Sequence, residues 1–101
     1  MEQSLSSLLE KSDESVLSLV LNGKISRNKH FEFFNTRKGR KIFKKAKMIE
    51  GVLKDLSKGA EITDEEIKKD NILVTIENVL DKYRRTIVMD KMTYEIFKEK
   101  I

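Results

Sequence analysis

The chain has 101 residues, of which 39% are hydrophobic and 38% are charged, and it contains no cysteine. This length fits one domain with a modest core, and the lack of cysteine excludes disulfides and thiolate metal sites. Since Met1 is followed by neither a basic stretch nor a long apolar run, we expect no signal peptide and no transmembrane segment. We therefore expect an intracellular protein, cytoplasmic or nuclear.

The net charge of +4 is concentrated in the middle of the chain. Residues 1–23 hold one Lys and four acids, residues 24–58 hold twelve Lys or Arg and three acids, and residues 59–101 hold eight and ten. We interpret residues 1–101 as a single small domain. Its three segments are an N-terminal helical arm, a basic segment with a helix, and a third helix followed by a β-rich or helical tail. Such a basic block either binds a polyanion or is neutralised by the flanking segments.

The N-terminal segment has apolar residues at helical spacing, on a stripe made of Leu5, Leu9, Val16 and Val20. Ser12 and the two acids after it can restart a helix, because serine caps well and acids suit a first turn. Asn22-Gly23 is a typical helix end. One broken helix and two short helices fit this pattern equally well.

Residues 24–34, KISRNKHFEFF, show no helical stripe, and they fit a short strand or an extended loop. A small domain without tryptophan needs its aromatic rings in the core. We therefore expect the core to include Phe31, Phe33, Phe34 and Phe43. If some of the first three rings are exposed instead, they are available for stacking on nucleic-acid bases.

From Thr36 onward the sequence predicts a long helix that ends at Lys58-Gly59. Its apolar seam has spacings of four and three residues and consists of Ile42, Ala46, Ile49, Leu53 and Leu56. Within it, the stretch IFKKAKMIEGVL resembles the second-helix pattern of DEP-type winged-helix domains. It is also similar to that pattern in the related cytosolic domain of a protein-translocon accessory subunit. The resemblance covers residues 42–53 and implies a winged-helix fold class, without assigning any binding residue.

Residues 63–83 are predicted to form a third helix, opened by a capping box between Thr63 and Glu66. The stretch ILVTI favours a strand, but an apolar stripe that continues to Tyr83 outweighs it. For the tail we favour a hairpin that turns at Asp90-Lys91 over a C-terminal helix capped by Asp90. The chain order then predicts a mainly α fold with a small β element, a winged-helix-like three-helix core with a C-terminal hairpin. An all-α helical bundle is the alternative.

Enzyme chemistry has little support in this sequence. A single histidine, His30, and the lack of cysteine leave no Cys–His pair or histidine metal cluster, and no glycine-rich phosphate loop is present. We expect no catalytic residue, no cofactor and no metal.

The basic helix carries the functional prediction. At about 100° per residue, one ridge opposite the apolar seam contains Arg40, Lys44, Lys47, Lys54 and Lys58, with Gly51 at the vacant step. Cations at this repeat can follow a phosphate backbone, and a glycine lets another backbone approach. The predicted nucleic-acid-binding residues are Arg37, Lys38, Arg40, Lys41, Lys44, Lys45, Lys47, Gly51, Lys54 and Lys58. Upstream residues that can extend this patch are Lys24, Arg27 and Lys29.

We favour a small, non-catalytic nucleic-acid-binding domain that contacts DNA or RNA phosphates, such as a regulator. The alternative is a protein-interaction or assembly subunit that uses the Leu-rich segment 5–21 and the 42–56 seam. Its partner is then an acidic protein surface or a second copy in a homodimer. The simplest interpretation of the basic helix is an ordinary solvated lysine face.

Overall fold

The computed structural model describes residues 4–101, so the first three residues of the predicted N-terminal arm lie outside the described residues. The described residues form five helices and a three-stranded antiparallel sheet, with about half of the chain helical. The elements are α1 Leu5–Glu10, α2 Asp13–Leu21, α3 Phe31–Phe34, α4 Arg37–Ser57, β1 Glu61–Lys68, β2 Asn71–Asn78, β3 Tyr83–Asp90 and α5 Lys91–Lys100. The fold is therefore mixed α/β, and the all-α bundle is wrong.

The chain divides into two compact units, Met1–Glu50 and Gly51–Ile101. Helix α4 contributes its first part to the first unit and its last two turns to the second. Among residues 4–101, no helix has both the length and the apolar character needed to cross a membrane.

Two short helices, not one broken helix, form the start of the first unit. Each begins at a serine whose hydroxyl accepts a backbone hydrogen bond: Ser7 N–H donates to Ser4 Oγ at 3.2 Å, and Ser15 N–H donates to Ser12 Oγ at 3.1 Å. The predicted restart at Ser12 is thus confirmed. The predicted end is also confirmed, with Asn22 as C-cap and Gly23 at a φ of 73°. The buried side chains are Leu8, Val16 and Leu17.

The aromatic residues Phe31–Phe34 form helix α3, so the predicted strand or extended loop is wrong there, whereas residues 24–30 form turns and bends without a helix or strand. The turn before α3 is closed by local hydrogen bonds: the His30 N–H donates to the Ser26 carbonyl at 2.9 Å, and the Ser26 N–H donates to His30 Nδ1 at 3.3 Å. In α3, Phe33 and Phe34 are buried edge to face, with centroids 5.2 Å apart. The expected core position of Phe31 is wrong: its side chain is 59% exposed.

Helix α4 follows the predicted pattern closely. The Thr36 hydroxyl accepts from the Gly39 N–H at 3.0 Å, which caps the first turn. The helix ends at Ser57, and Gly59 follows at a φ of 102°, as predicted. The fully or almost fully buried residues of the helix are Ile42, Ala46, Ile49 and Val52. Leu53 and Leu56 are only half-buried, so the last part of the predicted seam is shifted towards Val52.

Gly39 lies where α4 meets the backbone of α3. A Cβ at this position would overlap with the Phe33 carbonyl oxygen and stand 2.7 Å from the Phe34 Cα. Because the obstacle is backbone, no side-chain rotation can relieve it, and only glycine fits. At Gly51 an added Cβ would meet only Arg85 Nη2, at an ordinary contact distance of 3.9 Å. The glycine that close packing requires is therefore Gly39.

In the second unit, an antiparallel hairpin replaces the predicted third helix over residues 63–83. The capping-box interpretation is wrong, because Thr63 lies at a register shift between Ile62 and Asp64 in β1. Strand β2 buries Ile72, Val74, Ile76 and Asn78 on one side, and Thr75 is buried on the other. The residues that extended the helical stripe, Val79 and Leu80, lie in the next turn and are 84% and 87% exposed.

The tail continues the sheet and then becomes a helix. Strand β3 pairs with β2, so that the buried Ile87 and Met89 lie opposite Val74 and Ile72. The favoured hairpin at Asp90-Lys91 is wrong, and the alternative C-terminal helix is correct. Asp90 caps α5 by accepting a hydrogen bond from the Thr93 N–H at 2.8 Å.

Helix α5 is joined to β1 through the Glu65 carboxylate. The Tyr94 hydroxyl donates to it at 2.7 Å, and the Lys98 ammonium donates to it at 3.2 Å. The hydrogen bond from Tyr94, with a further contribution from Lys98, holds the pKa of Glu65 below its ordinary value. The same contacts raise the pKa of Tyr94 and of Lys98.

We expect opposite effects from alanine at the two glycines of α4. Gly39→Ala should lower the free energy of unfolding by about 2 kcal/mol or more, since overpacking against backbone cannot relax. Gly51→Ala should raise it by about 0.5–1 kcal/mol, because alanine favours the helix and the position has room. Urea unfolding followed by circular dichroism measures both values. Equal effects of the two substitutions would contradict the contact at Gly39.

We expect Glu65 to make stability depend on pH in the acidic range. Its pKa is lowered on folding, so its stabilising contribution is present above the ordinary value of 4.5 and is lost as the pH falls through the folded-state pKa. The free energy of unfolding of Glu65→Gln should therefore fall less on acidification than that of the unmodified protein. Glu66→Gln, on the opposite face of β1, is the control and should retain the full acid dependence. Identical pH profiles for all three proteins would refute the contribution of Glu65.

Candidate nucleic-acid interface

Helix α4 carries eight Lys or Arg and two acids over its length. In the first unit, one face of this helix presents four exposed cations at spacings of three, four and three residues: Arg37, Arg40, Lys44 and Lys47. We call these four residues the cationic row. Across residues 4–101, no carboxylate forms an ion pair with any member of this row. The row is therefore an exposed strip of positive charge that forms no ion pair with the acids of residues 4–101.

Other predicted contact residues on α4 have contacts within the protein. The Lys38 ammonium donates to the carbonyl oxygens of Leu9, at 3.1 Å, and of Lys11, at the C-terminal end of α1. It also lies 3.9 Å from a carboxylate oxygen of Asp13, and the Lys41 ammonium lies 4.0 Å from the other. Lys38 thus stabilises the junction of α1 and α2, while Lys41 remains well exposed. Lys45 is half-buried and also has a partner in the protein.

Phe43 lies beside the cationic row, and two cationic side chains contact its half-buried ring. The Arg27 guanidinium carbon is 5.0 Å from the ring centroid, and the Lys47 ammonium nitrogen is 5.4 Å from it. Both distances are within the range of about 6 Å for a cation–π contact. Phe34 meets the same ring edge to face, with centroids 5.9 Å apart. Packing thus brings Arg27 to α4, although it lies far upstream in the sequence.

A shallow groove opens between this aromatic pair and the cationic row. Its volume is about 260 Å³, and its lining consists of Arg27, Phe34, Asn35, Arg40, Phe43 and Lys44. Three of these six side chains are cationic and two are aromatic, and none is acidic. The sequence indicated the cations and named Phe43 as a core residue. It gave no signal for Asn35, which follows α3 and reaches the groove only because α3 and α4 pack together.

The remaining predicted contacts belong to the second unit. Lys54 is exposed on α4, and Lys58 is exposed just after the helix ends at Ser57. The Arg85 guanidinium stands beside Gly51, with Nη2 3.9 Å from where a Cβ would lie, and donates to the Asp55 carboxylate at 2.7 Å. The vacant step in the ridge thus has a cation from β3 next to it, whose charge Asp55 partly neutralises.

Within the part of the chain that the structure describes, the acidic and histidine side chains do not form a metal site. Over residues 4–101, no group of three or more His, Cys, Asp or Glu side chains is placed to hold a metal ion. The His30 ring accepts a backbone hydrogen bond in the turn before α3.

We expect Lys38 and Lys44 to differ in their effect on stability, although both are lysines of α4. Lys38→Met should lower the free energy of unfolding by about 1 kcal/mol, because two carbonyl acceptors lose a charged donor. Lys44→Met should change it by less than about 0.5 kcal/mol, as is usual for an exposed side chain without partners. Urea unfolding of the two variants provides the comparison. Equal stabilities would show that the Lys38 contacts do not contribute.

No family model matches this chain, and neither a curated protein sequence nor a solved structure matches it. A functional assignment therefore depends on the geometry and charge of its own residues.

Proposed function

We propose that the protein is a small, non-catalytic nucleic-acid-binding domain that contacts phosphates through α4. The observation that carries this proposal is the cationic row, whose four side chains are exposed on one helix face and have no carboxylate partner among the residues that the structure describes. A solvated lysine face on an ordinary helix is usually interspersed with acids. Between Arg37 and Lys47 this helix contains no acid at all.

Phosphate binding by such a row follows from counterion release. Each phosphate that a cation neutralises frees a condensed counterion, so affinity falls with salt at a slope of about 0.7–0.9 per contact on a logarithmic scale. Four contacts would give a slope of about −3. This binding is largely independent of base sequence, because phosphates carry no sequence information.

The chain order is consistent with a winged-helix-like arrangement as part of this proposal. Helices α2 to α4 are followed by antiparallel strands, which is the order of a helical core followed by a wing. In this interpretation α4 is the helix that approaches the nucleic acid, and the protein acts as a cytoplasmic or nuclear regulator.

A protein-interaction function is the second candidate, and one observation favours it. Leu5 and Phe31 are 39% and 59% exposed, and they line one cavity of about 230 Å³ in the first unit. The 42–56 seam offers less, because Ile42, Ala46 and Ile49 are already buried in the protein. A homodimer or an acidic protein partner would thus use the apolar surface around Phe31 or the cationic row.

Reversing the charge of the row should abolish tight binding to nucleic acid. We expect the triple variant Arg40→Glu, Lys44→Glu and Lys47→Glu to bind labelled duplex and single-stranded oligonucleotides at least tenfold more weakly, whatever their sequence. Its salt slope should also be shallower by about 2–3. Fluorescence anisotropy over a sodium chloride series measures both quantities.

The matched control is the triple variant Lys69→Glu, Lys82→Glu and Lys91→Glu, which changes the net charge equally at exposed positions of the second unit. It should keep most of the affinity. Equal losses in the two triples, or no binding of either nucleic acid at low salt, would contradict the proposal. Equally tight binding to polyglutamate or to anionic vesicles would point instead to an acidic protein or a membrane surface.

A further inference from the structure

We propose that the groove beside Phe43 receives an unpaired nucleobase, so that the nucleic acid bound by the first unit is single-stranded. This inference rests on the proposed nucleic-acid function and specifies which form of nucleic acid is bound. It depends on the combination of aromatic and cationic side chains in one groove, whereas the proposed function depends on the cationic row alone.

The lining of the groove contains aromatic side chains that can stack on a base and cationic side chains that can bind its flanking phosphates. Phe43 is half-buried and lines the groove, and the Arg27 guanidinium carbon stands 5.0 Å from its ring centroid. Aromatic rings and guanidinium planes are the two surfaces on which proteins stack unpaired bases. Arg40 and Lys44 line the same groove from α4, where they can bind the phosphates on either side of the base.

The size of the groove fits one planar group. Its volume of about 260 Å³ is below the range of about 300–1,000 Å³ of pockets that enclose a drug-sized ligand. A base at the end of its own backbone needs only a shallow recess, since its sugar and phosphates stay outside. The Asn35 amide lies in the lining and can both donate to and accept from a base edge.

The bases of a duplex cannot stack on Phe43 in this groove. In a double helix the faces of the bases are stacked on one another, so that a half-buried ring beside a helix reaches only phosphates and groove edges. A single strand can turn a base out towards Phe43 while its phosphates follow the cationic row. The aromatic part of the site therefore contributes to binding only when the strand is unpaired.

The test measures two quantities: the affinity for single strands relative to duplex, and the loss of affinity when the Phe43 ring is removed. Labelled single-stranded DNA, single-stranded RNA and duplex DNA of one length are titrated by fluorescence anisotropy at one salt concentration. The unmodified protein should bind at least one single strand more tightly than the duplex. Phe43→Leu, which keeps an apolar side chain but removes the stacking surface, should bind that strand about tenfold more weakly with an unchanged salt slope. Tyr83→Leu, which removes an aromatic ring outside the groove in β3 of the second unit, is the control and should bind normally.

Arg27→Lys provides a second variant in case Phe43→Leu weakens folding, since Arg27 is exposed and its charge is kept. We expect it to bind the single strand several-fold more weakly and the duplex unchanged, because an ammonium cannot stack. Duplex binding that equals single-strand binding, or no loss in Arg27→Lys, would overturn this inference while leaving the proposed function intact. If no nucleic acid binds, the proposed function fails as well.

Discussion

Burial of the apolar face of α4 fixes where its positive charges point. Ile42, Ala46 and Ile49 are almost completely buried, and the helical repeat places the cationic row on the opposite side. The helix cannot rotate about its axis, because an unpaired ammonium or guanidinium group in a core carries a desolvation cost of several kcal/mol. The exposed strip of positive charge is therefore a consequence of packing, and any function assigned to α4 depends on it.

The cationic side chains of α4 fall into two groups, those that bond within the protein and those that face outward. Composition alone does not distinguish the two groups. Lys38 donates to carbonyl oxygens at the end of α1 and lies near Asp13, so its charge is used inside the first unit. Within residues 4–101, Arg40 and Lys44 have no such partner, and they line the groove beside Phe43. The distinction follows from helix angle, since Lys38 lies on the flank that meets the N-terminal helices. Only the outward-facing cations are available to an external phosphate.

Local signals were sufficient for the starts of α2 and α4, but they missed α3, suggested a helix at Thr63 where β1 lies, and left the start of α5 open. Ser12, Thr36 and Asp90 each cap the start of a helix. Each side chain accepts one hydrogen bond from a backbone N–H three residues later, so the signal lies within a few residues of the cap. The sheet is different, because its strands are held by pairing between distant residues. Apolar residues at 72 and 76 suit both a helical stripe and an alternating strand. The pairing of β2 with β1 and β3 decides between them, and sequence periodicity does not reveal it.

The sequence by itself determined α4, its amphipathic character and the exposed cations at Arg40, Lys44 and Lys47, since all of these follow from the helical repeat. Tertiary structure decided which glycine is required, because the overlap at Gly39 involves the backbone of α3. It also decided that Arg27 stands over Phe43 and that Asn35 reaches the same groove. These contacts join residues that no single helix brings together. They exist because the aromatic residues of α3 and α4 must be buried against each other.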